Sequence, residues 1–286
     1  VPGLRVSDLN RSGKAAQCAP VRSDCVRQGE RENKKEKKMS RKMVQMMGVL
    51  FLSAGVLQAA LIDLKFNGSG RSAINEGTLG HFTFRDRSKA MMDLHSADRL
   101  GVSGKAGDRA FDNSDAVAMG GAGGRAGTLS VRSGPLPAFT IAGWFKTAST
   151  EPIGGSVTLL VWQDADSQVI VGSPKPGKLQ LQVNQRAAVT AESYTATEKW
   201  VFFAVTYDSS LAGKQAKFYV GDKDTPVSLV SEVNLAGGVP DIESVPSLGA
   251  MGAYKQAFDG LLDNFYMDSA ALDMEAVEAL RREALP

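Results

Sequence analysis

From Leu61 onward the chain alternates between apolar and polar positions. In ALIDLKF (60–66), Ile62, Leu64 and Phe66 fall on one side of an extended backbone, and Asp63 and Lys65 fall on the other. This two-residue period predicts a half-buried strand. FTIAGWFK (139–146), KLQLQVN (178–184) and AKFYVGD (216–222) repeat it, and SVTLLVW (156–162) and QVIVG (168–172) add two more strands. WVFFAVTYD (200–208) is apolar on both faces, which places it in the middle of a sheet covered on both sides. Turn-forming clusters separate these runs: SPKPGK at 173–178, SSLAGK at 209–214 and GGVP at 237–240. No helical period occurs until residue 273, where Asp273 is a good N-cap for a short closing helix. Many short strands with such punctuation predict an all-β sandwich of two antiparallel sheets with a short C-terminal helix.

The first 60 residues do not share this pattern. Residues 39–60, MSRKMVQMMGVLFLSAGVLQAA, carry Arg41 and Lys42, then an apolar run from Met46 to Leu57, then Ala59 and Ala60. That is the layout of a secretory signal peptide cleaved near Ala59 or Ala60. The apolar run is shorter than the roughly 20 residues that span a bilayer. Residues 1–38 are polar, charged and aperiodic, as expected of a disordered leader or of sequence upstream of a true start at Met39. The folded unit is therefore expected over 61–286, in a secreted, periplasmic or cell-surface setting.

Charge changes the picture once it is divided along the chain. The net charge of +2 conceals 12 Lys+Arg against 5 acids in residues 1–60, which leaves 21 against 26 in the remainder. A mildly acidic folded part argues against nucleic-acid binding, which needs a basic face. Cys18 and Cys25 both precede the apolar run, so the folded part has neither a disulfide nor a thiolate metal site.

Four phrases carry a resemblance. FTIAGWFKTAS, KWVFFAVTYDSS followed by AKFYVGD, and FDGLLDNFYMDSAALDMEAVEAL occur in that order, and GDRAFDNSDAVAM (107–119) precedes them. Together they resemble the laminin-G-like, concanavalin A-type lectin/glucanase domain of bacterial secreted proteins over residues 61–281. The resemblance implies a jelly roll of two antiparallel sheets. It also implies a structural calcium ion tying the first strand to the last, with Asn67 and Asp263 as ligands and Asp63 or Asp259 beside them. Asn67 stands where the family often has Asp. Two readings of Asp263 stay open: calcium ligation, or a carboxylate that accepts backbone N–H bonds and holds the turn at Gly260.

Strand alternation puts Asp259, Leu261, Asp263, Phe265 and Met267 on one apolar face, with Asp263 at the edge of the core. The two carboxylates would stand about 13 Å apart at about 3.3 Å per residue, beyond the roughly 5–9.5 Å of a glycosidase pair. The E-x-D-x-x-E strand that the resemblance would imply for a sugar-hydrolysing member does not occur. Asp164 with Asp166 and Asp222 with Asp224 fall in turns, and Asp241 with Glu243 falls in a loop-like stretch between Pro240 and Pro246. Catalysis is therefore not expected. His81 and His95 lack partners at zinc spacing. GGAGGRAG (120–127) lacks the Lys-Ser/Thr of a phosphate loop and predicts a surface turn. Trp144 and Trp200 are expected in the core, while Trp162, followed by QDADSQ, is open to two readings: core burial, which strand residues of this kind favour, or a sugar-stacking aromatic with Asp164 and Asp166 beside it. The leading expectation is a secreted carbohydrate-binding module without catalysis. The alternatives are an adhesive envelope protein that binds other extracellular proteins, and a divergent polysaccharide-degrading enzyme.

Overall fold

A computed structural model describes residues 59–70, 73–79, 84–86, 94–114, 124–126, 131–147, 157–194, 198–244, 246–250 and 258–286. Residues 39–58 of the expected signal peptide, the leader, His81 and most of GGAGGRAG lie outside these residues. All the described residues belong to a compact unit running from Gln58 to Pro286.

Among the described residues there are sixteen strands. They are β1 (Ile62–Leu64), β2 (Phe84–Asp86), β3 (Phe111–Asp112), β4 (Gly124–Ala126), β5 (Val131–Pro135), β6 (Ala138–Thr147), β7 (Val157–Gln163), β8 (Gln168–Ser173), β9 (Gln180–Val183), β10 (Arg186–Val189), β11 (Val201–Asp208), β12 (Ala216–Asp222), β13 (Ser228–Val233), β14 (Asp241–Ser244), β15 (Ser247–Leu248) and β16 (Gly260–Asp268). A helix, α1 (Met274–Glu283), follows. One sheet runs β1-β16-β6-β11-β12-β13, with β3 also on β16. The second runs β10-β9-β8-β7-β15-β4-β2, and β14 pairs with β5 as a ribbon. Pairing is antiparallel throughout.

β11 shows why the sequence folds this way. It lies between β6 and β12, and both of its faces are covered. Val201, Phe203, Val205 and Tyr207 join the core between the sheets, where Phe139, Ile141 and Phe145 of β6 meet Leu160, Trp162, Val171 and Leu181 of the second sheet. Phe202 and Ala204 point the other way, into a smaller cluster with Trp144, Tyr219, Val102 and Val277 of α1. The first sheet therefore carries a third layer on its outer face, made of α1 and the segment around Val102. An apolar strand with no polar face is what that three-layer position requires.

α1 is built from good helix formers and starts at Asp273, whose carboxylate accepts the Ala276 N–H at 2.9 Å. Its buried residues are Val277 and Arg281, four apart on one face. Arg281 makes a two-pronged contact with Glu278, at 2.8 and 2.9 Å, and donates to the Asp222 carbonyl. Glu278 also accepts the Val227 N–H at 2.9 Å. The helix is thus pinned to the turn between β12 and β13.

Two expectations are corrected here. The DIE stretch is a strand, β14, because the Asp241 carboxylate grips Arg132 of β5 at 2.9 and 3.2 Å and draws the two segments into register. Residues 124–126 of GGAGGRAG form β4, held between β15 and β2.

Candidate functional site

The site grows from an irregularity in β16. Leu262, Phe265 and Met267 face the core between the sheets, whereas Leu261 and Tyr266 pack on the outer cluster. Strict alternation would not put Leu262 and Phe265 on the same face. A β-bulge between Asp263 and Tyr266 supplies the extra residue, and Asn264 takes it up at φ 45°, a conformation that asparagine tolerates better than most residues. The expected common face for Asp263, Phe265 and Met267 is therefore wrong. Asp263 pairs opposite Trp144 and lies under the segment around Val102, on the outer side of the sheet.

There Asp263 is fully buried. Its Oδ2 accepts the Val102 N–H and its Oδ1 accepts the Asn264 N–H, each at 2.8 Å. Burial pushes its pKa up to about 7, with the nearby Asp108 carboxylate adding to the rise and the two N–H donors and Lys65 opposing it. Of the two readings of Asp263, backbone N–H acceptance is the contact present, but the segment held is the loop at Val102 and not the turn at Gly260.

That loop is organised around a second acid. Asp108 Oδ2 accepts the Ser103 N–H at 2.6 Å, the Ser103 hydroxyl at 2.7 Å and the Gly104 N–H at 3.1 Å. A Cβ at Gly101 would lie 2.4 Å from the Asp108 carboxylate, so this close approach requires glycine. Asn67 holds the far end of the loop, its Oδ1 accepting the Arg109 N–H at 3.0 Å. Asn67 and Asp263 thus grip the two ends of one loop.

Between the loop, the end of β1, the Asn264 bulge and the C-terminus of α1 lies an open cavity of about 500 Å³. Its working groups are Lys65, Asn67, Lys105, Asp108, Asn264 and Glu283. Lys65 bridges Asp63 at 3.1 Å and Glu283 at 2.9 Å. Burial pulls its pKa down, but these two acids outweigh burial and the net shift is upward. Among the described residues the Lys105 ammonium, the Asn264 carboxamide, Asn67 Nδ2 and Asp108 Oδ1 have no hydrogen-bond partner, so donors and acceptors of both kinds face the cavity.

The residues expected to hold calcium are not gathered as a cation cage. Asp63 is occupied by Lys65, Asn67 by Arg109, and Asp263 by two N–H groups. Asp259 precedes β16 at the end where Gly260 meets Thr147. Among the described residues no group of three or more His, Cys, Asp or Glu lies where it could hold a metal. This donor set does not fit a hard cation that takes six to eight oxygens.

The expected ligand-binding group is also corrected. Trp162 has 0% exposure and sits in the core between the sheets, its indole N–H donating to the Ser244 carbonyl at 3.3 Å. It presents no face to a sugar. β-strand alternation places Trp162 beside Leu160 in that core, and this phase was available in SVTLLVW. Asp164 caps the hairpin between β7 and β8, accepting the Asp166 and Ser167 N–H groups, and its other oxygen takes the Glu243 N–H at 2.8 Å. These bonds, the one from Glu243 foremost, hold its pKa below the usual carboxylate range. Asp166 is exposed in the same turn. Trp144 and Trp200 are core residues as expected, in the outer cluster. His95 is buried, with Nδ1 2.7 Å from the Phe66 carbonyl. The sequence reading missed Lys105, Asp108 and Asn264. For Lys105 and Asp108 the only local signal was the Ser-Gly-Lys-Ala-Gly-Asp turn chemistry of 103–108, and Asn264 lies inside an apolar strand that announces no bulge.

No described helix is long and apolar enough to cross a membrane. No curated protein matches the chain. Solved structures do, at low identity. A crystal structure of a receptor binding domain shares 12% identity over 80% of this chain and 52% of its own, with a TM-score of 0.52. The binding domain of botulinum neurotoxin serotype G shares 14% over 77% and 50%, with a TM-score of 0.49. Domain 4 of AbnA, an extracellular GH43 arabinanase from Geobacillus stearothermophilus solved with arabinotriose, shares 14% over 78% and 98%, with a TM-score of 0.43. The chain thus spans about half the length of the two binding domains and nearly all of the arabinanase domain. At 12% identity the likeness to the receptor binding domain is one of fold. A family model described as the concanavalin A-like lectin/glucanases superfamily matches residues 121–278, more than half of the chain. The chain belongs to that superfamily.

Proposed function

We propose that the Gln58–Pro286 unit is a secreted, non-catalytic carbohydrate-binding module, and that its glycan enters the cavity bounded by Lys65, Asn67, Asp108 and Asn264. The unengaged groups on the cavity wall carry this reading. A sugar presents hydroxyls that both donate and accept, and the cavity offers Asp108 Oδ1 as an acceptor, Lys105 and Asn67 Nδ2 as donors, and the Asn264 carboxamide as both. Lys65 and Lys105 face Asp108 and Glu283, so the wall carries charges of both signs and suits a neutral polyhydroxyl ligand better than an anion or a cation.

The acids support the absence of catalysis. A glycosidase general acid needs a raised pKa and access to the glycosidic oxygen. Asp164 and Asp241, which the fold brings near Glu243, are both held below the usual range, Asp241 chiefly by Arg132. Asp263 has the raised value but no exposed surface. The test is a glycan array probed with the full chain, alongside an assay for reducing ends released from mixed polysaccharides. Retained glycans with no released ends are expected. Released ends would overturn the non-catalytic reading, and an array without a bound glycan would overturn the binding reading.

A further inference from the structure

Asn67–Gly68 is the single Asn-Gly pair in the 286-residue sequence. Both residues are exposed, beyond the end of β1, in a turn entered through Phe66 at φ 56°. The other described asparagines, Asn75, Asn113, Asn184, Asn234 and Asn264, precede Glu, Ser, Gln, Leu and Phe. At Gly68 no side chain shields the backbone nitrogen. A Cβ there would stand 3.3 Å from the His95 ring, so packing also favours glycine.

The hydrogen bonds at this pair are unequal. Asn67 Oδ1 accepts the Arg109 N–H at 3.0 Å, whereas Asn67 Nδ2 and the Gly68 N–H make no hydrogen bond among the described residues. A donor aimed at the carbonyl oxygen stabilises the negative charge that develops there when the carbonyl carbon is attacked. The leaving nitrogen and the attacking nitrogen are the two groups left unengaged. We infer that Asn67 is a deamidation site, at which the cavity wall gains a carboxylate.

The chemistry balances without an oxidant or a cofactor. The Gly68 N–H gives its proton to solvent base, and its nitrogen forms a bond to Asn67 Cγ. The resulting oxyanion on Oδ1 is held by the Arg109 N–H. Its collapse breaks the Cγ–Nδ2 bond, and Nδ2 takes up a proton and leaves as ammonia. Water then opens the cyclic imide at either carbonyl, giving aspartate or isoaspartate. Aspartate keeps the acceptor for Arg109 and adds one negative charge beside Asp108. Isoaspartate inserts a methylene into the main chain and displaces the anchor of the 101–109 loop. The modification stands on Asn67 itself, and only its consequence for a sugar rests on the proposed function.

The test is peptide mapping by mass spectrometry of the full chain held in mildly alkaline buffer at physiological temperature. The Asn67 peptide should gain about one dalton and split into two isomers. It should lead every other asparagine by at least roughly tenfold, a modest share of what one oriented donor contributes to an acyl transition state. Asn67→Gln, which lengthens the ring to be closed, should remove that lead without crowding His95. The inference is overturned if the Asn67 peptide keeps its mass in the folded chain, whether or not it converts in urea, or if the Asn67→Gln peptide gains mass equally fast. Glycan retention measured on the same aged samples is a separate readout. Its loss or persistence bears on the binding site and not on the modification.

Discussion

Asp263 and Val102 stand 161 residues apart in sequence, and the buried carboxylate of the first accepts the backbone N–H of the second at 2.8 Å. This bond closes the loop that walls the cavity against the last strand of the sandwich.

A pH dependence follows from that contact. The pKa of Asp263 is raised to about 7 in the fold, against about 3.9 in an unfolded chain. The folded state therefore holds more protons than the unfolded state between those values. The favourable contribution of Asp263 is fully present below about pH 4 and is lost as pH rises through about 7. The ceiling is of order 4 kcal/mol at about 1.4 kcal/mol per pKa unit. Urea unfolding of wild type and Asp263→Asn from pH 4 to 8 measures it: the wild-type decline should flatten in the variant, and parallel curves would refute the linkage.

Glu278 acts in the opposite direction. Its bond to Arg281 foremost, with the Val227 N–H and Arg282 assisting, brings its pKa down to about 2. Its stabilisation is present above about pH 4.5 and is lost as pH falls toward 2. Arg281→Ala also removes a nearly buried guanidinium that bonds the Asp222 carbonyl and leaves that end of α1 unpinned. A loss of about 2–4 kcal/mol is expected by chemical denaturation, and a loss below about 0.5 kcal/mol would show that α1 is held by Val277 alone.

Two glycines carry geometry that no other residue fits. Gly260 opens β16 at φ 147°, and a Cβ would lie 2.1 Å from the Lys146 carbonyl oxygen. Gly260→Ala should cost about 3 kcal/mol or more. Gly101→Ala forces a Cβ into the Asp108 carboxylate and should loosen the cavity loop with a smaller loss of global stability. Protease mapping of 98–109 distinguishes local loosening from global unfolding.

Chelation separates the two readings of Asp263. Because its oxygens are already taken by N–H groups, EDTA should leave the melting temperature of the wild type unchanged. A fall on chelation that calcium restores would show that the loop opens to admit the ion.

Much of the fold was legible because the strands with a buried face show it in their alternation. β6, β7, β8, β9, β11 and β12 fall within one or two residues of the expected runs, and α1 starts at the expected cap. β13 was not legible, since SLVSEV at the sheet edge is largely exposed and carries no burial period. β14 was hidden between prolines and depends on the long-range grip of Asp241 on Arg132. The site was legible only in part. Asn67 and Asp263 were singled out, but their roles depend on the loop they hold, and nothing local to either residue names it. The bulge at Asn264 reversed the facing of Asp263, because one inserted residue inverts a two-residue period. For Trp162 the polar turn that follows points to exposure and the strand phase shared with Leu160 points to burial, and burial is the outcome.

The central claim is that the cavity between the loop and the bulge binds a sugar. The most direct measurement is a paired glycan array of the full chain and a Lys105→Ala/Asn264→Gly variant. Glycine keeps the positive φ of the bulge while deleting the carboxamide, and Lys105 is exposed. The account predicts that the wild type retains a defined set of neutral glycans and that the folded variant loses them at least about tenfold, the scale of one or two lost polar contacts. Retention of the same set at the same strength by the variant would contradict it.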